Sequence, residues 1–202
     1  MNARAVHLTA SITLGYPDER LIEALPLLAG IVADLPPGEA ATRLAAFLDH
    51  LAATPLPDLT AHYVATFDLK RRCCPYLTYY AYGDTRKRGM ALLRFKHAYR
   101  AAGFEIACDE LPDHLAVVCE LSARGATDQA VRLLREHRAG LETLLHALEG
   151  EDSPYAHVVA AVLATLPEPT LRERTAALRL AAAGPPVEEV GLDPYSMLGG
   201  PR

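Results

Sequence analysis

Asp113 and His114 adjoin in Leu-Pro-Asp-His-Leu, where the apolar pattern predicts a helix to begin. Two chemistries are open to such a pair. The carboxylate could cap the free N–H groups of the helix start, or the imidazole could be an exposed proton donor titrating near neutrality. An enzyme built on the pair would also need a nucleophile, a metal or a phosphate loop. The chain has no Gly-x-Ser-x-Gly, His-Glu-x-x-His or P-loop pattern. Cys73 and Cys74 are adjacent, and Cys108 and Cys119 stand alone, without the Cys-x-x-Cys spacing of a zinc site. Free buried thiols are the expectation. No catalytic residue and no metal ligand is assigned.

A second concentration of reactive types precedes that pair. Nine of the twenty Lys and Arg fall between Lys70 and Arg100, against a single acid, Asp84. Lys70-Arg71-Arg72 and Arg86-Lys87-Arg88 bracket Tyr76, Tyr79, Tyr80 and Tyr82, with Tyr63 and Phe67 just upstream. Arg beside Tyr suits an anionic planar ligand or an acidic partner surface. The same arginines could equally pair with carboxylates elsewhere on the fold. Arg71, Arg72, Arg86, Lys87 and Arg88 are therefore candidates for contact with a cofactor or partner.

The elements that position these residues read as helices. Leu21, Leu25, Leu28 and Val32 repeat at helical spacing behind Pro17, expected as a first helical residue with Asp18 and Glu19 in the first turn. Ala41, Leu44, Leu48 and Leu51 form a second stripe after Pro36-Pro37-Gly38, and Leu59, Tyr63 and Phe67 a short third. Leu92, Phe95, Tyr99 and Ala102 share a face of a helix that Gly103 ends. Leu115, Val118 and Ser122 line the helix opened by Pro112 and Asp113. Thr127 is expected to cap one longer helix carrying Val131, Leu134, Leu141, Leu145 and Leu148. Tyr155, Val158, Val159, Val162 and Leu166 follow Ser153-Pro154, and a last helix runs from Glu168-Pro169 to Gly184. No segment alternates with period two. The expectation is an all-α, single-domain bundle over 1–183, followed by a flexible Gly- and Pro-rich tail over 184–202. The tail's apolar residues Tyr195 to Leu198 could dock back on the body.

Bulk properties narrow the partners. The 202 residues suffice for one cored domain, half of them apolar. A formal net charge of −5 argues against nucleic-acid binding. No apolar run reaches the roughly 18 residues of a membrane span, so no membrane insertion is expected. No signal-peptide pattern opens the chain, so a cytoplasmic location with reduced cysteines is expected.

Taken together, Leu14-Gly-Tyr-Pro-Asp18, Tyr63-Val-Ala-Thr-Phe-Asp-Leu69, Tyr76-Leu-Thr-Tyr-Tyr80, Tyr82 to Leu93 and Glu110-Leu-Pro-Asp-His-Leu115 resemble one family. It is the delta-chain assembly chaperones of respiratory nitrate reductase, the NarJ type among the TorD-like redox-enzyme maturation proteins. Cys73-Cys74-Pro75 departs from that pattern. The resemblance implies an all-helical chaperone outside the finished enzyme, active in nitrate assimilation. It would bind the N-terminus of the apo catalytic (alpha) subunit while molybdenum cofactor and iron–sulfur clusters are inserted. Asp113 and His114 would match the peptide groove, and Tyr63 and Phe67 its aromatic wall. With Asp68 and Tyr79 they make the client-peptide set. No permanently bound cofactor is implied, although transient contact with molybdopterin guanine dinucleotide and with its biosynthesis proteins would fit. Two rivals remain open: direct carriage of that dinucleotide by the Arg-rich segment, and a small enzyme using His114 and Asp113. If His114 tunes the groove, peptide affinity should shift between roughly pH 5.5 and 7.5. If the tail competes for it, removing 184–202 should tighten binding.

Overall fold

A computed structural model describes residues 2–107 and 110–183. Eleven α-helices account for its architecture, in the order α1 Ala3–Thr13, α2 Glu19–Ala33, α3 Glu39–Ala53, α4 Leu56–Tyr63, α5 Tyr79–Tyr82, α6 Arg86–Ala101, α7 Leu115–Ala123, α8 Thr127–Glu136, α9 Arg138–Glu149, α10 Tyr155–Ala164 and α11 Leu171–Ala183. Among the described residues there is no strand, only one isolated antiparallel bridge between Tyr76 and His114. The all-α expectation holds. The tail over 184–202, its proposed docking, the helix stop at Gly184 and Cys108 lie outside the described residues.

The core forms around α10. Tyr155, Ala156, Val158, Val159, Ala160, Ala161 and Val162 are all buried, as a helix apolar on every side must be. It packs against α3, α9 and α1, while α1 also lies along α7, α2 packs on α3, and α11 covers α9.

Helix α1 is absent from the stripes read above, and its own buried face explains why. Val6 and Ala10 share that face with His7, Thr9 and Thr13, so polar letters break the apolar period. The polar groups are satisfied locally: Thr9 and Thr13 donate to the carbonyls of Ala5 and Thr9 at 3.1 and 2.9 Å. His7 lies between Ser122 (2.7 Å) and Thr165 (2.9 Å).

Two boundaries differ from expectation. Pro17 stays outside α2, and Asp18 is its N-cap, accepting from the Leu21 N–H at 3.0 Å. The single helix expected over 127–148 breaks at His137, which leaves helical geometry with φ −108° and packs on Phe95 with ring centroids 5.2 Å apart. Thr127 becomes the first helical residue rather than the cap, and its hydroxyl donates to the Ser122 carbonyl at 3.2 Å. The break sends α8 against α7 and α9 against α10 and α11, which a straight helix could not do. At the end of α6, Gly103 takes φ +80° and the Phe104 N–H reaches the Tyr99 carbonyl at 2.9 Å, the left-handed stop expected there.

Candidate functional site

The motifs named above are scattered from Leu14 to Leu115 in sequence, and the fold brings them together. The Tyr63 hydroxyl donates to the Leu14 carbonyl at 3.3 Å, and the Tyr16 ring meets the Tyr63 ring edge-on at 5.5 Å. Just past Tyr63, residues Val64–Asp68 form one π turn, closed by the Leu69 N–H on the Val64 carbonyl at 3.1 Å. Such a turn is wider than an α turn, and here Phe67 packs on Tyr63 at 4.9 Å and on Tyr155 at 4.8 Å. Phe47 and His62 flank Tyr155 on its other sides, at 5.0 and 5.9 Å. The result is an aromatic column. Its inner rings are buried, whereas Tyr16 is 59% exposed.

A second seam joins the two motifs nearest in character. The Leu77 N–H donates to the Asp113 carbonyl and the Leu115 N–H to the Pro75 carbonyl, both at 3.0 Å. Tyr76 then lies edge-on to His114 at 5.2 Å, and its hydroxyl donates to Glu110 at 2.9 Å. Burial raises the Tyr63 hydroxyl to about 12, helped by the negative charges of Asp68 and Glu110. Burial likewise raises Tyr76, with the Glu110 hydrogen bond adding to it. Both rings therefore stay neutral phenols at the edge of an acidic surface.

Asp113 has a different place from the one its motif suggested. It is fully buried, and Oδ2 accepts from the Thr78 N–H at 3.1 Å and from the Thr78 hydroxyl at 2.5 Å. Arg88 reaches in from α6, donating from Nε to the Thr78 hydroxyl at 3.1 Å, with Nη2 3.7 Å from Asp113 and its guanidinium 5.3 Å from the Tyr76 ring centre. In this conformation Asp113 is a positioning residue that clamps the Tyr76–Thr78 segment. It does not cap α7 either. His114 does, its Nδ1 accepting from the Ala116 N–H at 3.2 Å. His114 is 5% exposed, and burial lowers its pKa against the opposing pull of Glu110 and Asp113. An exposed donor titrating near neutrality is thus not what the fold provides.

The remaining candidates divide. Tyr63 and Phe67 are the column just described, and Asp68 is exposed beside it. Tyr79 belongs to another pair, edge-on to Tyr80 at 5.6 Å. Four of the six residues in the cationic triplets are already paired with carboxylates. Glu151 binds both Lys70 and Arg72, and Asp84 lies 3.8 Å from Arg71 and 3.6 Å from Arg88. Arg86 and Lys87 are exposed on α6. These side chains do not fit a dinucleotide as one set. Among the described residues no group of three or more His, Cys, Asp or Glu is placed to hold a metal. Cys73 and Cys119 are buried and Cys74 half-buried, all free. Burial raises Cys74 to about 11, which leaves it an unreactive thiol.

Concave space lies elsewhere. A cleft of about 280 Å³ runs between the end of α6 and α7, lined by Tyr99, Phe104, Ile106, Val117 and Leu121. A larger one of about 880 Å³ is lined by Arg94, Arg132, Arg135, Glu173 and His137. Neither contains a residue of the client-peptide set.

The family model described as the nitrate reductase delta subunit matches residues 33–161. The chain belongs to this family. Among relatives of the delta subunit family, the probable molybdenum cofactor assembly chaperone NarJ of Bacillus subtilis is 31% identical over 163 residues, covering 81% of this chain and 89% of that one. NarJ of Escherichia coli is 30% identical over 150 residues, 71% of this chain and 61% of its own. The nitrate reductase-like protein NarX of Mycobacterium tuberculosis is 41% identical over 158 residues, 77% of this chain, which spans only about a quarter of NarX (23%). No helix among the described residues is long and apolar enough to cross a membrane.

Several residues of this candidate site carry little or no signal in the sequence. Tyr16 lies within Leu14–Asp18, where Tyr-Pro-Asp before a helix makes a rigid, ring-presenting turn. Glu110 immediately precedes the Leu-Pro-Asp-His-Leu segment. Thr78 and Arg88 carry no local signal for the clamp. They become partners of Asp113 only through tertiary contact.

Proposed function

We propose that this chain is an assembly chaperone for a nitrate reductase, holding the N-terminal segment of the apo catalytic subunit. Cofactor and cluster insertion would then proceed before the subunit docks with its partners. The names of the two NarJ relatives, assembly chaperones and not catalysts, support this reading and weigh against the small-enzyme rival. The observation that carries it is the exposed Tyr16 ring on the Tyr63–Phe67–Tyr155 column. Stiff aromatic surface gives a peptide helix large contact area at low entropic cost. Asp68 and Glu110 at its border suit a client segment with basic residues among its apolar ones. Nothing in the arrangement is covalent, so the client can leave.

Calorimetric titration with a synthetic peptide copying the N-terminus of the cognate catalytic subunit tests this directly. Asp113 is a poor choice for substitution, since its loss would disturb the fold. Tyr16→Ala and Glu110→Gln act at the surface. One-to-one binding should weaken about tenfold or more in Tyr16→Ala, in line with an aromatic contact of roughly 1.5–2 kcal/mol. Unchanged affinity in both variants, with loss in Val117→Asp, would move the peptide to the cleft between α6 and α7.

A further inference from the structure

Helix α6 has a composition that the client reading does not use. Its sixteen residues hold six Lys and Arg and no Asp or Glu. The remainder of the chain then carries fourteen Lys and Arg against twenty-five acids. One face of α6 is spoken for: Ala91, Phe95 and Tyr99 are buried, and Arg88 enters the Asp113 clamp. The opposite face is open. Arg86, Lys87, Arg94, Lys96 and Arg100 are exposed, and Met90 (68%) and Leu93 (45%) stand out among them. Arg86, Met90, Leu93, His97 and Arg100 fall in one stripe at helical spacing, with Lys87 and Arg94 on one flank and Lys96 on the other. The acids nearest this face lie at its two ends and, beside Arg94 on one flank, in the larger cleft at Asp128, Glu136 and Glu173. Asp84 is bound by Arg71 and Arg88, and Glu105 borders a shallow cleft with Lys96 and Arg100.

We infer that the outer face of α6 docks on an anionic phospholipid surface. Long cationic side chains around two protruding apolar ones are the pattern of a helix lying in the interface plane. The face is convex and carries flexible side chains, which suits a surface able to conform to it better than the fixed shape of an acidic protein. Charge also dictates orientation. A negatively charged sheet repels the acidic body and attracts only this side, within about 10 Å at ordinary salt. Since Arg88 ties the same helix to Thr78 and Asp113, the docked face sits one helix thickness from the clamp. The inference is independent of which peptide the protein holds.

The test uses the full chain and vesicles of phosphatidylcholine, with or without one part in four of phosphatidylglycerol. Co-sedimentation should be at least tenfold stronger on the anionic vesicles and should fall as salt rises. Lys87→Glu/Lys96→Glu/Arg100→Glu, checked for helicity by circular dichroism, should weaken it about a hundredfold, at about 1 kcal/mol per cation. The chain has no tryptophan, so Leu93→Trp supplies a single reporter. Its emission should shift to the blue on anionic vesicles alone. Equal sedimentation on both vesicle types, undiminished binding of the triple variant, or an unshifted emission at saturation would overturn the inference. The last two outcomes would place the vesicle contact on another face of the molecule.

Discussion

Acid should unfold this protein earlier than its carboxylates alone would require, and His7 is where the effect can be isolated. The imidazole has no exposed surface and lies between two hydroxyls, Ser122 at 2.7 Å and Thr165 at 2.9 Å. The Thr165 hydroxyl already donates to the Val162 carbonyl at 2.6 Å. It must accept from Nε2, which leaves Nδ1 to accept from Ser122 and fixes a neutral tautomer. Burial lowers the His7 pKa to about 4, and that of His137 also to about 4, with Asp113 opposing the shift at the latter. In the unfolded chain both return to about 6.5. The folded pKa is depressed, so the unfolded state binds more protons between those values. Stability is then complete above about pH 6.5 and is lost as pH falls toward 4. Integrated from pH 7 to pH 5, each imidazole costs about 2 kcal/mol, and the pair about 4 kcal/mol, a large share of a typical domain's 5–15 kcal/mol. Urea unfolding at pH 7, 6 and 5 measures the slope. His7→Gln keeps a donor and an acceptor but cannot titrate, so the pH 7-to-5 loss should shrink by about 2 kcal/mol relative to wild type. A variant as acid-sensitive as wild type, or a His7 resonance titrating near 6.5 in the folded protein, would refute the argument.

Other consequences follow from the same contacts. Asp113→Ala should cost about 3 kcal/mol, because it leaves half-buried Arg88 with only the exposed Asp84 as a charge partner and Thr78 without its acceptor; thermal denaturation reads this as a clear drop in Tm. Tyr155→Phe should be neutral or slightly stabilising in urea, since the Tyr155 hydroxyl is buried with no hydrogen-bond partner among the described residues. Gly140→Ala should destabilise by about 1–3 kcal/mol despite the better helix former, because the added Cβ would meet the Tyr80 ring at 3.0 Å. Peptide affinity should show little His114 titration near neutrality, its imidazole being held below the ordinary range by burial; calorimetry across pH 6 to 8 checks this.

Periodicity alone determined the fold class and most of the helices, because apolar residues at three- and four-residue spacing have one economical solution in water. Residue types also marked the aromatic column at Tyr63 and Phe67 and the Tyr76–Tyr80 stretch, the surface proposed here for recognition. They could not separate surface from clamp. Asp113 and His114 are neighbours in sequence, yet one is a buried tie to Thr78 and Arg88 and the other a helix cap beside Tyr76. That difference depends on α6 arriving over the bridge between 75–77 and 113–115, a contact invisible to any local pattern. The tertiary structure also decided the break at His137 and the helix over Ala3–Thr13. There, buried polar groups satisfied by distant partners, Ser122 and Thr165 for His7, erased the apolar stripe that a sequence reading depends on. Charge behaved the same way: the letters showed a basic segment, and only folding paired Lys70, Arg72 and Arg88 with carboxylates while leaving the outer face of α6 bare.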